Sequence, residues 1–335
     1  MKIGILFDGG GRDWDQKDVA AVMTNVSDIQ GCLRRAGHEA TLHPVHLGDV
    51  SWLRRMQRLD LVFNLCEGVN GLARYEDLAV AALELTRVPF TGCPSWPVTI
   101  CHRKHIANTL LAAAGVPVPP FVLARGITPP TGLRYPVIVK PSGEDASVGI
   151  DAGAVCTTRK ALRDRLAKVC EQWEEVLIQE YVPGREVNVG FVGRDIFPIS
   201  EILFDRMPAG TWPIVTYAAK WDTGSAEDIG TEPVCPARLT PELSRRVTQA
   251  ARQAWDTLTG SKGYGRVDLR ITEQGEVYVL EVNPNPDLSV DAGLARMGRT
   301  RGWDYPTLIL KVVEEAVQRF EQARATESLT QHVPA

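Results

Sequence analysis

The chain has 335 residues, of which 44% are hydrophobic and 23% charged, with a net charge of −4. That composition is ordinary for a globular protein of two or three domains, and the length is enough to bury substantial cores. With that slight acidity nothing points to a nucleic-acid backbone or an anionic membrane as the main partner.

Residues 2–7 read as a buried strand, followed by a loop at 8–15 rich in glycine and aspartate. A helical pattern covers 17–35 and stops at Gly37. Strands are expected at 40–45 and 61–65 with a helical stretch between them, then a helix at 76–85 and the start of a strand at 88–89. Alternating strands and helices imply a parallel sheet with helices on its faces. A second unit opens with a helix over 104–114, ended by Gly115 and Pro117. Strands at 135–140 and 147–155 flank a turn at 141–146; a helix at 158–172 and a strand at 176–181 follow. A third unit begins with strands at 186–191 and 196–203. Residues 208–236 show little periodicity and are expected as one long loop, of the kind that is usually functional or disordered. A helix at 241–258 leads to a hairpin of 265–271 and 276–282. Ile309, Val312, Val313, Ala316, Val317 and Phe320 then mark a helix face. The expected units are therefore 1–102, 103–185 and 186–322, with a frayed tail at 323–335. No run is long and apolar enough to span a bilayer, the apolar run at the start is too short for a signal peptide, and the seven scattered cysteines read as reduced thiols. A cytoplasmic location is expected. Cys93, Cys101 and His102 lack the second half-site that structural zinc needs.

The hairpin is the most informative segment. With residues 272–275 as a four-residue loop, Val267, Leu269, Ile271, Tyr278, Leu280 and Val282 share one apolar face. Arg266, Asp268, Arg270, Glu281 and Asn283 share the other, with Val277 and Val279. Two carboxylates and an amide oxygen are hard donors, few in number, which suits Mg²⁺ that is also bound by phosphates. A solvated sheet face with an Arg266–Glu281 cross-strand pair is an equal alternative on these residues alone. Three further segments carry weaker signals. In Lys140-Pro-Ser-Gly-Glu-Asp-Ala-Ser147-Val-Gly149 a strand ends in a lysine and a small-residue turn follows, where backbone N–H groups can cradle phosphate; a plain hairpin turn explains it equally well. Gln179-Glu180-Tyr181-Val182-Pro-Gly-Arg-Glu186 has carboxylates at both ends of a Pro-Gly turn, and Glu186 can accept from ribose hydroxyls; an ordinary hinge has the same pattern. Lys220, inside the long loop, suits a lid that closes over a transferring phosphate, although most loop lysines are simply solvated.

In this order the segments resemble the ATP-grasp superfamily and, within it, the D-alanine–D-alanine ligases. The resemblance runs from Lys2 to about Phe320. It rests on Phe63-Asn-Leu-Cys-Glu-Gly68, Glu76-Asp77, Val88-Pro-Phe-Thr-Gly92, Lys104, Gly115-Val-Pro117, Val139-Lys-Pro141, Gly184-Arg-Glu186, Gly265-Arg-Val-Asp268 and Leu280-Glu-Val-Asn283. It implies an α/β chain, α+β in parts, with an ATP-grasp fold of three subdomains. The N-terminal one carries a Rossmann-like parallel sheet, and ATP lies between the central and C-terminal units. Lys104, Lys140, Ser147 and Lys220 would contact the phosphates, Gln179, Glu180 and Val182 the adenine, and Glu186 the ribose. Asp268, Glu281 and Asn283 would bind two Mg²⁺, with Mn²⁺ able to substitute, and Arg266 would stabilise the acyl phosphate. The implied reaction phosphorylates a substrate carboxylate, and an amine then attacks it, releasing phosphate and ADP. The resemblance implies small-molecule partners and, commonly, a homodimer.

Glu67, Glu76 and Ser289 fall on the substrate side, where the sequence departs from the family. A glutamate that holds the first substrate's ammonium is best matched by Asp15, and the serine supporting it by Ala146. The lid tyrosine is Trp221, a turn glycine is Asp287, and the serine of the second substrate's carboxylate site is Ala292. Losing a hydroxyl and gaining an acid disfavours a carboxylate-bearing acceptor, so an acceptor other than D-alanine is expected. Three alternatives stay open: a true D-alanine–D-alanine ligase of cell-wall synthesis, a non-catalytic nucleotide-binding regulator, and a nicotinamide enzyme built on Gly9-Gly10-Gly11. The last lacks the dinucleotide-binding spacing.

Overall fold

The computed structural model describes residues 1–11 and 16–330, so Asp15 lies outside the described residues. In chain order the elements begin with β1 (Lys2–Asp8), α1 (Gln16–Arg35), β2 (Glu39–Val45), α2 (Trp52–Met56), β3 (Leu61–Leu65), α3 (Glu76–Thr86) and α4 (Ser95–Cys101). Next come α5 (Lys104–Ala113), β4 (Phe121–Ala124), β5 (Val137–Pro141), β6 (Val155–Cys156), α6 (Arg159–Val169) and β7 (Val176–Glu180). The remainder is β8 (Arg185–Val192), β9 (Asp195–Ile196), β10 (Ser200–Leu203), α7 (Tyr217–Trp221), α8 (Ala226–Gly230), β11 (Glu232–Val234), α9 (Pro241–Thr259), β12 (Tyr264–Ile271), β13 (Val277–Asn283), α10 (Gly293–Arg301) and α11 (Tyr305–Thr330).

The first sheet is parallel, in the order β2-β1-β3. Strand β1 is apolar almost throughout because both of its faces are covered. Ile3, Ile5 and Phe7 pack with residues of α1 and α11, and Leu6 packs on the other side with α2 and α3. The strand expected at 88–89 shrinks to one parallel bridge between Val62 and Phe90. The central sheet is antiparallel, β4-β7-β5-β6, with α6 on one face. Thr158 caps α6 by accepting from the Ala161 amide at 3.2 Å, a usual helix start. The third sheet runs β11-β10-β8-β12-β13, with β9 paired to β8. Helix α9, capped by Thr240 and closed by left-handed Gly260, covers it. There Trp255 stacks on Phe191 with ring centroids 5.2 Å apart. Helix α5 follows the N-terminal unit in sequence, yet it packs Ala107 and Leu111 into this third core.

Four expectations are corrected. Of the strand expected at 147–155 only Val155 is in a strand, the two-residue β6 that it forms with Cys156. Before them, Ala146, Ser147 and Gly149 take left-handed backbone, and Asp151 accepts from Gly153 and pairs with Arg165. The strand at 196–203 is broken around Pro198 into β9 and β10, since proline has no ladder donor. The long loop carries α7, α8 and β11, whose two short helices are capped by Thr216 and Ser225. Periodicity cannot register five-residue helices, but the caps can. Finally, α11 continues through Thr330, well into the tail expected to fray.

Candidate active site

Strand alternation aims one face of the central sheet at one face of the third, and a cleft lies between them. On β5, Val137 and Val139 pack toward α6, which turns Ile138 and Lys140 into the cleft. On β7 the same rule turns Gln179 inward beside its pairing partner Ile138. On β8, Val187, Val189 and Phe191 join the third core, leaving Glu186 and Asn188 to line the cleft. Glu180 and Val182 line the hinge, Ser147 the turn after β5, and Lys220 the helix α7 above. The Glu180 carboxylate itself is tied to Arg134 at 3.0 Å.

The hairpin reaches the expected grouping by a different register. Ile271 pairs with Val277, so the loop is 272–276, one residue longer than expected. Val277, Val279 and Val282, not Tyr278 and Leu280, complete the apolar face. A bulge after Asp268 resets the alternation, so that Leu280 and Glu281 both line the cleft. Asp268 then sits opposite Glu281, and Arg266 opposite Asn283. The Arg266–Glu281 pair does not form. Arg266 grips Asp268 on its own strand at 2.7 and 2.9 Å, while Asn188 Nδ2 donates to the same carboxylate at 2.7 Å. Asn283 Oδ1 accepts from the Asn285 amide at 3.0 Å.

Charge is nearly balanced across the cleft. Lys104 Nζ lies 2.8 Å from Asp145 and 3.0 Å from Glu281. Burial alone would lower the Lys104 pKa, but these two carboxylates outweigh it and raise it. Burial would likewise raise the Asp145 carboxyl, yet Lys104 and His102 hold it well below the usual carboxylate range. Lys140 has weaker compensation. Burial pushes it down to about 8, and neighbouring Lys104 adds to the effect against Glu281, Glu186 and Asp268. Withdrawal from water and the Arg266 cation lower Lys220 too. Buried Gln179 leaves its Nε2 with no protein partner. Two lysines poorly satisfied by protein and an orphaned amide donor fit a ligand with phosphates at one end and a hydrogen-bonding base at the other. Two carboxylates and an amide oxygen on facing strands fit a hard divalent cation.

A second chain of contacts leads toward the N-terminal unit. Glu76 accepts from His102 Nε2 at 2.8 Å and from Asn285 Nδ2 at 2.9 Å. His102 also lies 3.2 Å from Asp145, and Tyr264 OH donates to Asn285 at 2.6 Å. Burial would lower the His102 pKa, but Glu76 and Asp145 prevail and raise it to about 9. Partial withdrawal from water and the charges of Glu76, Asp287 and Asp145 raise the carboxyl of Glu67, whose side chain is nonetheless exposed at the surface. The other substrate-side residues stand outside the cleft lining. Trp221 is largely exposed and donates Nε1 to the Ala146 carbonyl at 3.1 Å. Asp287 spends both carboxylate oxygens on Ser289, amide and hydroxyl, at 2.8 and 2.7 Å. Ala292 starts α10 without a side-chain cap. Asp145, His102, Asn188 and Asn285 were given no role from the sequence. Asn188 was findable, two residues from Glu186 on one strand face; His102 and Asn285 needed the tertiary structure.

A family model described as the D-Ala–D-Ala ligase C-terminus matches residues 110–314. The chain belongs to the D-alanine–D-alanine ligase family. This ligase is 30% identical over 300 residues to a D-alanine–D-alanine ligase of Geobacter sulfurreducens, covering 86% of this chain and 85% of the relative. It is 29% identical over 324 residues to an uncharacterized protein of Sinorhizobium fredii, covering 92% and 90%. Its fold matches the crystal structure of the D-alanine–D-alanine ligase from Bacillus anthracis with a TM-score of 0.75 at 22% identity, covering 96% of this chain and 99% of that one. The chain is therefore an ATP-grasp enzyme, an ATP-dependent ligase that joins a carboxylate to an amine. Its substrates are small molecules, and among the described residues no helix is long and apolar enough to cross a membrane.

Proposed function

We propose that this ligase works through an acyl phosphate and takes an acceptor amine other than D-alanine. The observation that carries the mechanism is the meeting of Lys104, Lys140, Lys220 and Arg266 with Asp268, Glu281 and Asn283 around one cleft. Lys104, Lys140 and Lys220 attract the triphosphate, and the turn at Ser147 presents backbone to it. Gln179 Nε2 gives the base an otherwise unmet donor, alongside the hinge backbone at Glu180 and Val182, and Glu186 takes the ribose. Asp268, Glu281 and Asn283 would hold two magnesium ions, or manganese, which neutralise charge on phosphate oxygens when bound. The substrate carboxylate attacks the γ-phosphorus and ADP leaves; the neutral amine then adds to the acyl carbon and expels phosphate, which carries off the amine's proton, while Arg266 offsets the negative charge. The closed lid keeps water from the acyl phosphate.

The acceptor reading rests on Asp287, Ala292 and Glu67. Asp287 adds negative charge near Glu67, which disfavours a second carboxylate there, and Ala292 offers no hydroxyl to one. Asp15 is assigned the first substrate's ammonium by resemblance alone. The protein acts in the cytoplasm, as a homodimer, within the unit boundaries given above. The test is an ADP-release screen over pairs of amino acids and amines, with products identified by mass. A product containing a non-alanine amine is expected. Stoichiometric D-alanyl-D-alanine from D-alanine alone, at ordinary ligase rates, would overturn the acceptor reading.

A further inference from the structure

Among the described residues, Arg270 is the most enclosed cation whose position the reaction above does not use. It is 2% exposed, on β12 directly opposite Glu186 of β8. Its Nη2 donates to Glu186 Oε2 at 2.7 Å and to the Pro213 carbonyl, and its Nη1 donates to the Gly184 carbonyl at 3.0 Å. The guanidinium also lies over the rings of Tyr181 and Phe204, 5.6 and 5.5 Å from their centroids. A hydrocarbon side chain would fill the space between two aromatic rings without the desolvation that a buried guanidinium suffers. Packing therefore does not account for the charge. What the charge does is join three things: the Glu186 carboxylate, the hinge turn at Gly184, and the chain at Pro213 that leads into α7 and Lys220.

We propose that Arg270 is a positioning residue for the nucleotide sugar, orienting Glu186 toward the ribose hydroxyls and fastening that carboxylate to the lid. By occupying Oε2, the planar fork leaves Oε1 as the oxygen for a hydroxyl and fixes its direction, which a point cation could not do as well. Four residues back on the same face of β12, Arg266 holds Asp268 of its own strand. Two arginine–carboxylate pairs thus stand side by side, one toward the metal-side donors and the other toward the sugar. The proposal rests on the assignment of Glu186 to the ribose.

Calorimetry with magnesium and either ADP or 2′,3′-dideoxy-ADP tests it without knowledge of the acid or amine. The reading is the ratio of the two dissociation constants, which a general loss of packing would leave alone. Wild type is expected to favour ADP by about tenfold or more, as a hydrogen bond to a charged group implies. Arg270→Met keeps the bulk between the rings and is expected to bring the ratio within about threefold, with Arg270→Lys intermediate. A wild-type ratio in Arg270→Met overturns the proposal. Should that variant not fold, a wild-type ratio in Arg270→Lys overturns it equally. Glu186→Gln separates the two levels of inference. If its ratio stays at the wild-type value, the ribose assignment fails and the proposal with it. If it collapses while the Arg270 variants keep theirs, the proposal about Arg270 alone is wrong.

Discussion

Lys104 is the residue at which the two sides of the cleft meet, because its ammonium bridges Asp145 of the central turn and Glu281 of the hairpin. A carboxylate shared in this way is already oriented before a cation arrives. We expect Asp268→Asn or Glu281→Gln to lower turnover at least about a hundredfold in the ADP-release assay, with the protein still folded; full turnover in either variant would remove the metal assignment. His102 gives a different signature. Its pKa in the fold, about 9, stands above the unfolded value near 6.5. The protonated form is therefore the one that folding favours. Its contribution is complete below about pH 6.5 and disappears as pH rises through 9. Denaturant melts of wild type and His102→Gln across that range should show a stability difference on the order of 2 kcal/mol at low pH that closes at high pH. A difference that stays constant with pH would mean that His102 is not charged in the fold. At this scale the donor set Asp268, Glu281 and Asn283 was legible because strand alternation and oxygen chemistry both point to it. The substrate side was not. Asp287 reads as a free acid, but its oxygens are consumed by Ser289.

Among the elements, the hairpin shows why a correct grouping can follow from an incorrect register. A longer loop moves every residue of β13 to the other face, and the bulge after Asp268 moves Glu281 and Asn283 back. Nothing in the residue pattern announces a bulge, since Leu280 is as apolar as the valines around it. Short helices are hidden for another reason: α7 and α8 are held by caps and by contacts with the turn after β5. Trp221 Nε1 to the Ala146 carbonyl, Ser147 Oγ to the Val215 carbonyl at 2.9 Å, and the Tyr217 amide to the Ile150 carbonyl at 2.8 Å fasten the lid. Removing one of these should loosen closure without harming the chemistry. Trp221→Phe keeps the ring and loses the donor. We expect ADP release to outrun amide formation by a few-fold more than in wild type, as water reaches the acyl phosphate. Equal ratios of ADP to amide in both proteins would show that this bond does not govern closure.

For the molecule as a whole, the long-range order of elements was the most readable feature, because buried parallel strands, capped helices and Gly or Pro stops are strong local signals. The packing of α5 was not readable, since its sequence neighbours belong to the central unit and its apolar face to the third core. Nucleotide should act on the whole assembly. At a hundred times its dissociation constant, ADP with magnesium should add about 2.7 kcal/mol to the unfolding free energy, seen as a raised melting temperature that Asp268→Asn largely abolishes.

The placement of α5 also determines how the chain reaches and leaves the central sheet. The Pro117 carbonyl accepts from the Val279 amide at 2.8 Å, and Gly184 presses so closely on Ile271 that a Cβ there would come within 2.0 Å of its carbonyl oxygen. Both anchor points are on the β12–β13 hairpin, two rungs apart, since Leu269 pairs with Val279 and Ile271 with Val277. The central sheet is thus an excursion whose ends are sewn to a single ribbon. Away from that seam the turn after β5 is held as well, since the Lys104 amide donates to the Ser142 carbonyl at 3.0 Å. A shortened chain in which a brief glycine–serine bridge replaces residues 119–183 should keep the hairpin, α5 and α9 folded together, while losing the roof of the nucleotide cleft.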